Sequence, residues 1–263
     1  AGLAAWRTIL DLGQNYPKPV ADLMDQYRAL STENDPAYKA LEIGRLFASI
    51  EEWYLALGGF SRVVEEFPGY AEGWAFYGEA LQQCGLDGKG ALDRSLVLNP
   101  VSVSGNVFNA FYWRRNGDYE RALDYMRRAE RLAPSEPMWK AEIGSILALQ
   151  GDINGALGYY QAAVGLEPES SHYWQLLAQF SADYEVDIRN IGLGAARQAL
   201  ILDPDDPASL ETMGDVLYKL NDLVGAERFL QQAIENADRI YSQLRLGQIY
   251  LQQARYEEAF SQL

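Results

Sequence analysis

The sequence predicts an all-α solenoid built from antiparallel helix pairs. Three observations support this fold class. Apolar residues recur at spacings of three and four along most of the chain, the mark of amphipathic helices. Small residues return at fixed places within a unit of roughly 34 residues. A proline closes most of these units, where its missing N–H and its ring stop a helix.

The clearest unit runs from Pro137 to Pro168. Ile143, Ile146 and Leu147 form the apolar stripe of a first helix, and Gly144 sits on that stripe. A glycine inside a helix costs about 1 kcal/mol relative to alanine, so close approach of a second helix is expected there. Ala156 and Ala163 supply the small partners, with Tyr160 between them as filler. Gly151 suits the position just past a helix end, and Asp152 can cap the next helix.

Counting Pro137 as position 1, frames begin at Leu3, Ala37, Ala71, Val103, Pro137, Ser171, Pro207 and Ile240. From the second frame onward, position 8 reads Gly44, Gly78, Ala110, Gly144, Ala178, Gly214 and Gly247. Position 27 reads Val63, Val97, Ala129, Ala163, Ala199 and Ala233, and prolines stand at or beside position 32 as Pro68, Pro100, Pro134, Pro168 and Pro204. This pattern over residues 37–263 resembles the tetratricopeptide repeat, a 34-residue helix–turn–helix unit. The resemblance implies a right-handed superhelix of antiparallel helix pairs.

In chain order, residues 1–36 read as an N-terminal capping helix pair or degenerate repeat, with Trp6, Ile9 and Ala29 in frame and a stiff turn at Tyr16–Pro19. Helices are expected near 3–13 and 19–30. Residues 37–263 then read as a solenoid of about seven repeats. The third frame is short in its second half, at Gly88-Lys89-Gly90, and is expected to bend the superhelix or show mobility. In the fourth, Asn106 and Asn109 stand where Trp and Leu are usual. The sixth carries two extra residues around Tyr184–Asn190. The last frame stops partway through its second helix, so a continuation beyond Leu263 or a missing tail is expected, since solenoids usually end in a polar cap.

Composition excludes several function classes. With one cysteine, Cys84, the chain forms no internal disulfide and no thiolate metal cluster. Cys84 is read as a small apolar residue rather than a nucleophile. The lone histidine, His172, has no ligand-spaced partners for a metal or for base catalysis. Gly85, Gly88 and Gly90 lack the context of a phosphate loop. No cofactor, no catalytic set and no enzyme activity are expected. A net charge of −15 disfavours general nucleic-acid binding. No apolar run approaches the ~20 residues of a membrane span. The acidic, cysteine-poor composition suits the cytoplasm, although a cleaved leader would leave the same sequence.

In the family that the chain resembles, first-helix positions 2, 5, 6, 9, 12 and 13 face the ligand. Carried onto this sequence, the resemblance implies a partner-binding groove holding Tyr38, Arg45, Glu79, Gln83, Phe108, Phe111, Arg114, Arg115, His172, Gln179, Asp215 and Tyr218. Some relatives clamp a C-terminal carboxylate with Lys at position 5 and Asn at position 9; that pair is absent here. Residues 101–140 hold seven Lys/Arg against five Asp/Glu, a basic island in an acidic chain. It reads either as an anchor for an acidic segment, with Phe108 and Phe111 as apolar floor, or as a solvated face whose charges pair along the helices.

Three functions remain open. The first is a scaffold binding a peptide or helical segment of a protein partner, which could carry an acidic stretch. The second is a regulatory or substrate-recruiting region of a larger enzyme. The third is a self-assembling scaffold, docking through a face around Leu246, Gly247 and Tyr250.

Overall fold

The computed structural model describes residues 35–237 and 239–262. The helices near 3–13 and 19–30 expected for the capping pair or degenerate repeat of residues 1–36 lie outside them. Among the described residues there are fourteen α-helices and no strand. The chain forms two compact units, 1–133 and 134–263.

Unit 1 contains α1 (Pro36–Ser49), α2 (Trp53–Glu66), α3 (Ala71–Gln83), α4 (Lys89–Leu98), α5 (Val103–Arg115) and α6 (Tyr119–Leu132). They pack as the pairs α1/α2, α3/α4 and α5/α6, and the first helices α3 and α5 also stack on each other. Phe60 on α2 lies at the centre of the first pair, fully buried with Leu41, Ala56 and Val63. Burial of a side chain of this size stabilises the unit by roughly 1.5–3 kcal/mol. The pair α3/α4, formed by the third sequence frame, keeps only ten residues in α4, in line with its shortened sequence.

Unit 2 contains α7 (Pro137–Gln150), α8 (Ile153–Leu166), α9 (Ser171–Asp183), α10 (Leu193–Leu202), α11 (Pro207–Lys219), α12 (Leu223–Asn236), α13 (Ile240–Gln252) and α14 (Tyr256–Ser261). The extra residues of the sixth frame form a π-helical turn, Ile188–Gly192, ahead of the short α10. The reason for Gly144 is visible in the α7/α8 pair. A Cβ there would lie 3.2 Å from the Tyr160 ring and 3.3 Å from the Ala156 carbonyl oxygen. Helix backbones approach this closely only where one side has no side chain.

The turn between paired helices repeats as faithfully as the helices do. A residue with positive φ follows each first helix: Glu51, Gly85, Gly117, Gly151, Glu185, Asn221 and Ala254. All seven fall at position 15 of their frames. The next N–H donates back across the end of the helix, as from Asp118 to the Trp113 carbonyl and from Asp152 to the Leu147 carbonyl, each at 2.9 Å. This is the left-handed C-terminal cap that satisfies otherwise orphaned carbonyls. Asp118, Asp152 and Asp222 then open the next helices by accepting from Arg121 N, Gly155 N and Gly225 N at 3.0 Å.

One expectation is corrected by the packing. The self-docking face around Leu246, Gly247 and Tyr250 is not available at a surface. Leu246 and Tyr250 are 1% and 4% exposed, packed with Ala226, Leu230 and Ala259, and Gly247 is buried as well. Helix α14 covers them, because the second helix of the last frame, though short, still packs on α13. The large exposed apolar side chains on α13 and α14 are Ile240, Tyr241, Leu244, Leu251, Tyr256 and Phe260.

Candidate functional site

In unit 1 the first helices bring an aromatic row together. Phe76 on α3 and Phe108 on α5 meet edge to face with ring centroids 5.0 Å apart, and Phe108 and Phe111 follow at 6.2 Å. All three rings are partly exposed. Phe76 also stands 5.5 Å from the buried Phe60, which ties the row to the core. Arg45 on α1 lies 5.3 Å above Phe76, and Arg114 lies 5.0 Å from Phe111. The row therefore ends in a guanidinium on either side, each held on a ring face by the attraction of a cation for the π-system. Tyr38 is exposed on α1. Phe76 is absent from the sequence-derived set although it occupies position 6 of its frame, which is the signal that could have found it.

Two residues assigned to the groove are committed elsewhere. Glu79 is only 5% exposed. Arg115 grips both of its carboxylate oxygens, Nη1 to Oε1 at 3.0 Å and Nη2 to Oε2 at 2.5 Å. Gln83 Nε2 donates to the same Oε1 at 2.8 Å. A carboxylate this buried needs a counter-charge, since leaving it unpaired is strongly destabilising. Glu79 and Arg115 thus fasten α3 to α5. On α6, Arg121 pairs with Asp118 and Arg128 with Asp124, so part of the basic island is a solvated helix face.

Asn106 and Asn109 are buried at 1% and 0% exposure. Their amide groups donate to the Ser102 and Gly105 carbonyls at 2.8 and 2.9 Å, while both side-chain carbonyl oxygens lack a partner. These residues occupy helix-packing positions and do not face a partner. Cys84 caps the end of α3, and burial pushes its thiol above the ordinary range, away from the reactive thiolate. Among the described residues no group of three or more His, Cys, Asp or Glu side chains is arranged to hold a metal ion. No described helix is long and apolar enough to cross a membrane.

In unit 2, His172, Gln179 and Asp215 line one cleft of about 220 Å³ between α9 and α11. Leu176, Asp183, Glu211, Thr212 and Arg239 complete much of its wall. Asp215 accepts from Arg245 Nε at 2.6 Å; burial raises its carboxyl above the ordinary range against the pull of Arg245. Arg239 holds both oxygens of Glu211, which also accepts from Ser242 Oγ. Tyr218 carries Arg245 4.7 Å above its ring. The acidic side chains of α11 are therefore largely matched by arginines of the next repeat, about 30 residues later in the chain.

The sequence profile of the tetratricopeptide repeat matches residues 114–171, so the repeat read from the frames is present in this chain. The human mitochondrial import receptor subunit TOM70 is 27% identical over 139 residues. That match covers 50% of this chain and 22% of the receptor, so the chain spans less than a quarter of that relative's length. The yeast Tom70 crystal structure superposes with a TM-score of 0.68 at 15% identity, covering 93% of this chain and 53% of the other. A chain from the APC/C hetero-tetramer Cut9-Hcn1 gives 0.67 at 16% identity, covering 87% and 46%. At these identities the structural likeness defines the fold: an all-α solenoid of tetratricopeptide helix pairs.

Proposed function

We propose that this chain is a non-catalytic protein-interaction scaffold that takes a peptide or helical segment of its partner on the first-helix face of unit 1. The single observation that carries this is the row Phe76–Phe108–Phe111 with Arg45 and Arg114 on its end rings. Aromatic and arginine side chains are enriched at binding hot spots, where they fill well-packed, desolvated pockets. The partner segment lays an apolar anchor on the rings and an acidic residue beside one of the arginines. A receptor subunit and a hetero-tetramer among the similar proteins are in keeping with a fold that works by contact with other chains.

The test is affinity capture from the source lysate, read by mass spectrometry, with the parent chain beside a Phe108→Ala/Phe111→Ala variant. Arg115 is left in place because its loss would strand the buried Glu79 and confuse binding with folding. A partner kept by the parent and lost by the variant is expected. An identical catch from both would remove the aromatic row from the function.

A further inference from the structure

The aromatic row of unit 1 has a spacing and a charge order that select one kind of partner segment. We infer that it receives an amphipathic α-helix with two apolar side chains one turn apart and an acidic residue one further turn out at each end. The inference rests on the reading of the row as a partner site, and goes beyond it by fixing the partner's conformation and the order of its charges.

Three rings make two seats, one between Phe76 and Phe108 and one between Phe108 and Phe111. The ring centroids are 5.0 and 6.2 Å apart, so the midpoints of the two seats are separated by at most half the total, 5.6 Å. Side chains three or four residues apart on a helix lie about 5–6 Å from each other. Same-face side chains of a strand stand two residues apart, at about 6.5–7 Å. Two anchors of a helix therefore fill both seats at once, whereas an extended segment that fills one overshoots the other. The row does not spread to meet a longer spacing, because Phe76 is packed 5.5 Å from the fully buried Phe60.

Charge complementarity sets the flanks. Arg45 stands 5.3 Å from the Phe76 centroid and Arg114 5.0 Å from the Phe111 centroid, each about one helical turn beyond the last ring at its end. Helix α5 carries no carboxylate, and Arg114 and Arg115 close its last turn. The α3 carboxylate Glu79 is buried and held on both oxygens by Arg115, so it shows a partner no unmatched negative charge. Arg45 pairs with Glu42 of its own helix at 2.7 Å, but its side chain is 49% exposed, and an exposed pair of this kind contributes little. A guanidinium has five donors, so Arg45 accommodates a second carboxylate. A partner acid at either end thus meets a cation already oriented on a ring, and a partner lysine meets like charge.

The test is calorimetric titration of the full chain with four synthetic peptides on an alanine–glutamine host. The first has two leucines four residues apart and a glutamate four residues outside each. The second carries lysine in place of both glutamates, and the third glutamine in place of both leucines. The fourth keeps the leucines and glutamates but sets the leucines on either side of a proline, which prevents the helix. The first peptide is expected to bind about tenfold more tightly than each of the others. Arg45→Gln and Arg114→Gln should each weaken it about fivefold and leave the lysine peptide no weaker. Equal binding by the lysine peptide overturns the charge order, by the glutamine peptide the apolar seats, and by the proline peptide the helix; any of these overturns the proposal. So does the absence of binding by all four, while the lysate capture with Phe108→Ala/Phe111→Ala judges separately whether the row is a partner site. The ranking of the peptides on the parent chain stands even where a variant folds poorly.

Discussion

The two units share one scaffold and spend their first-helix faces differently. In unit 1 that face is apolar: Phe76, Phe108 and Phe111 stand in a row, and one ion pair, Glu79–Arg115, fastens the stacked helices beneath it. In unit 2 it is polar. Glu211–Arg239 and Asp215–Arg245 tie α11 to the next repeat, Glu227–Arg255 does the same on the second-helix side, and the cleft between α9 and α11 is bordered by carboxylates. Their turns differ too. Among the described turns, unit 1 has glycine at two of its three left-handed positions, Gly85 and Gly117, and Glu51 at the other. Unit 2 has Gly151 but also Glu185, Asn221 and Ala254. The repeat fixes where helices begin, end and touch; the side chains on the exposed positions are free to differ, and recognition chemistry is written there.

The largest expected effect tests the polar stitching. Asp215 and Arg245 are both well covered, with side chains 14% and 17% exposed, whereas Arg115 is 34% exposed against a 7% exposed Glu79. Arg245→Met should cost about 3–5 kcal/mol by stranding a buried carboxylate. Arg115→Met should cost less, about 2 kcal/mol, because water reaches its side of the pair. Urea unfolding of both variants checks this, and the reverse order would break the contrast between the units.

A middle-sized effect tests what the units have in common. Ala163 is 1% exposed at a small-residue position, and Gln161 is exposed two residues earlier. Ala163→Leu should cost about 1–3 kcal/mol by overpacking and lower the melting temperature, while Gln161→Leu should change it little. Equal melting curves would mean that the small positions do not set the helix-pair spacing.

The smallest effect concerns the turns. Ala254 sits at φ 58°, where a β-carbon is crowded. Ala254→Gly should stabilise unit 2 by about 1 kcal/mol, the left-handed penalty of an L-residue less the entropy glycine adds to the unfolded chain. Gly117→Ala should do the opposite in unit 1. Hydrogen exchange of α13 and α5 amides would read both; no change in either would remove turn strain from the comparison.

Much of the scaffold was legible in the sequence because its determinants are local or strictly periodic. Gly144 against Tyr160, the Gly151-Asp152 turn and the stop at Pro168 all follow from spacing within one unit. Arg45, Phe108, Phe111 and Arg114 were also within reach, since frame position alone puts them on the first helices. Glu79 and Arg115 were not: they stand 36 residues apart, and whether two charged side chains point at a partner or at each other depends on how neighbouring repeats stack. The same holds for Leu246 and Tyr250, which α14 covers.

By itself, then, the sequence determined the repeat, its helix pairs and its turns, because backbone capping and small-residue packing act over a few residues and recur at fixed spacing. Only the tertiary structure decided which first-helix side chains remain exposed. Burial and ion pairing are set between repeats, by distances of a few ångströms that the order of residues along the chain does not contain. That is why Glu79 leaves the groove to pair with Arg115, and why Leu246 and Tyr250 lie under α14.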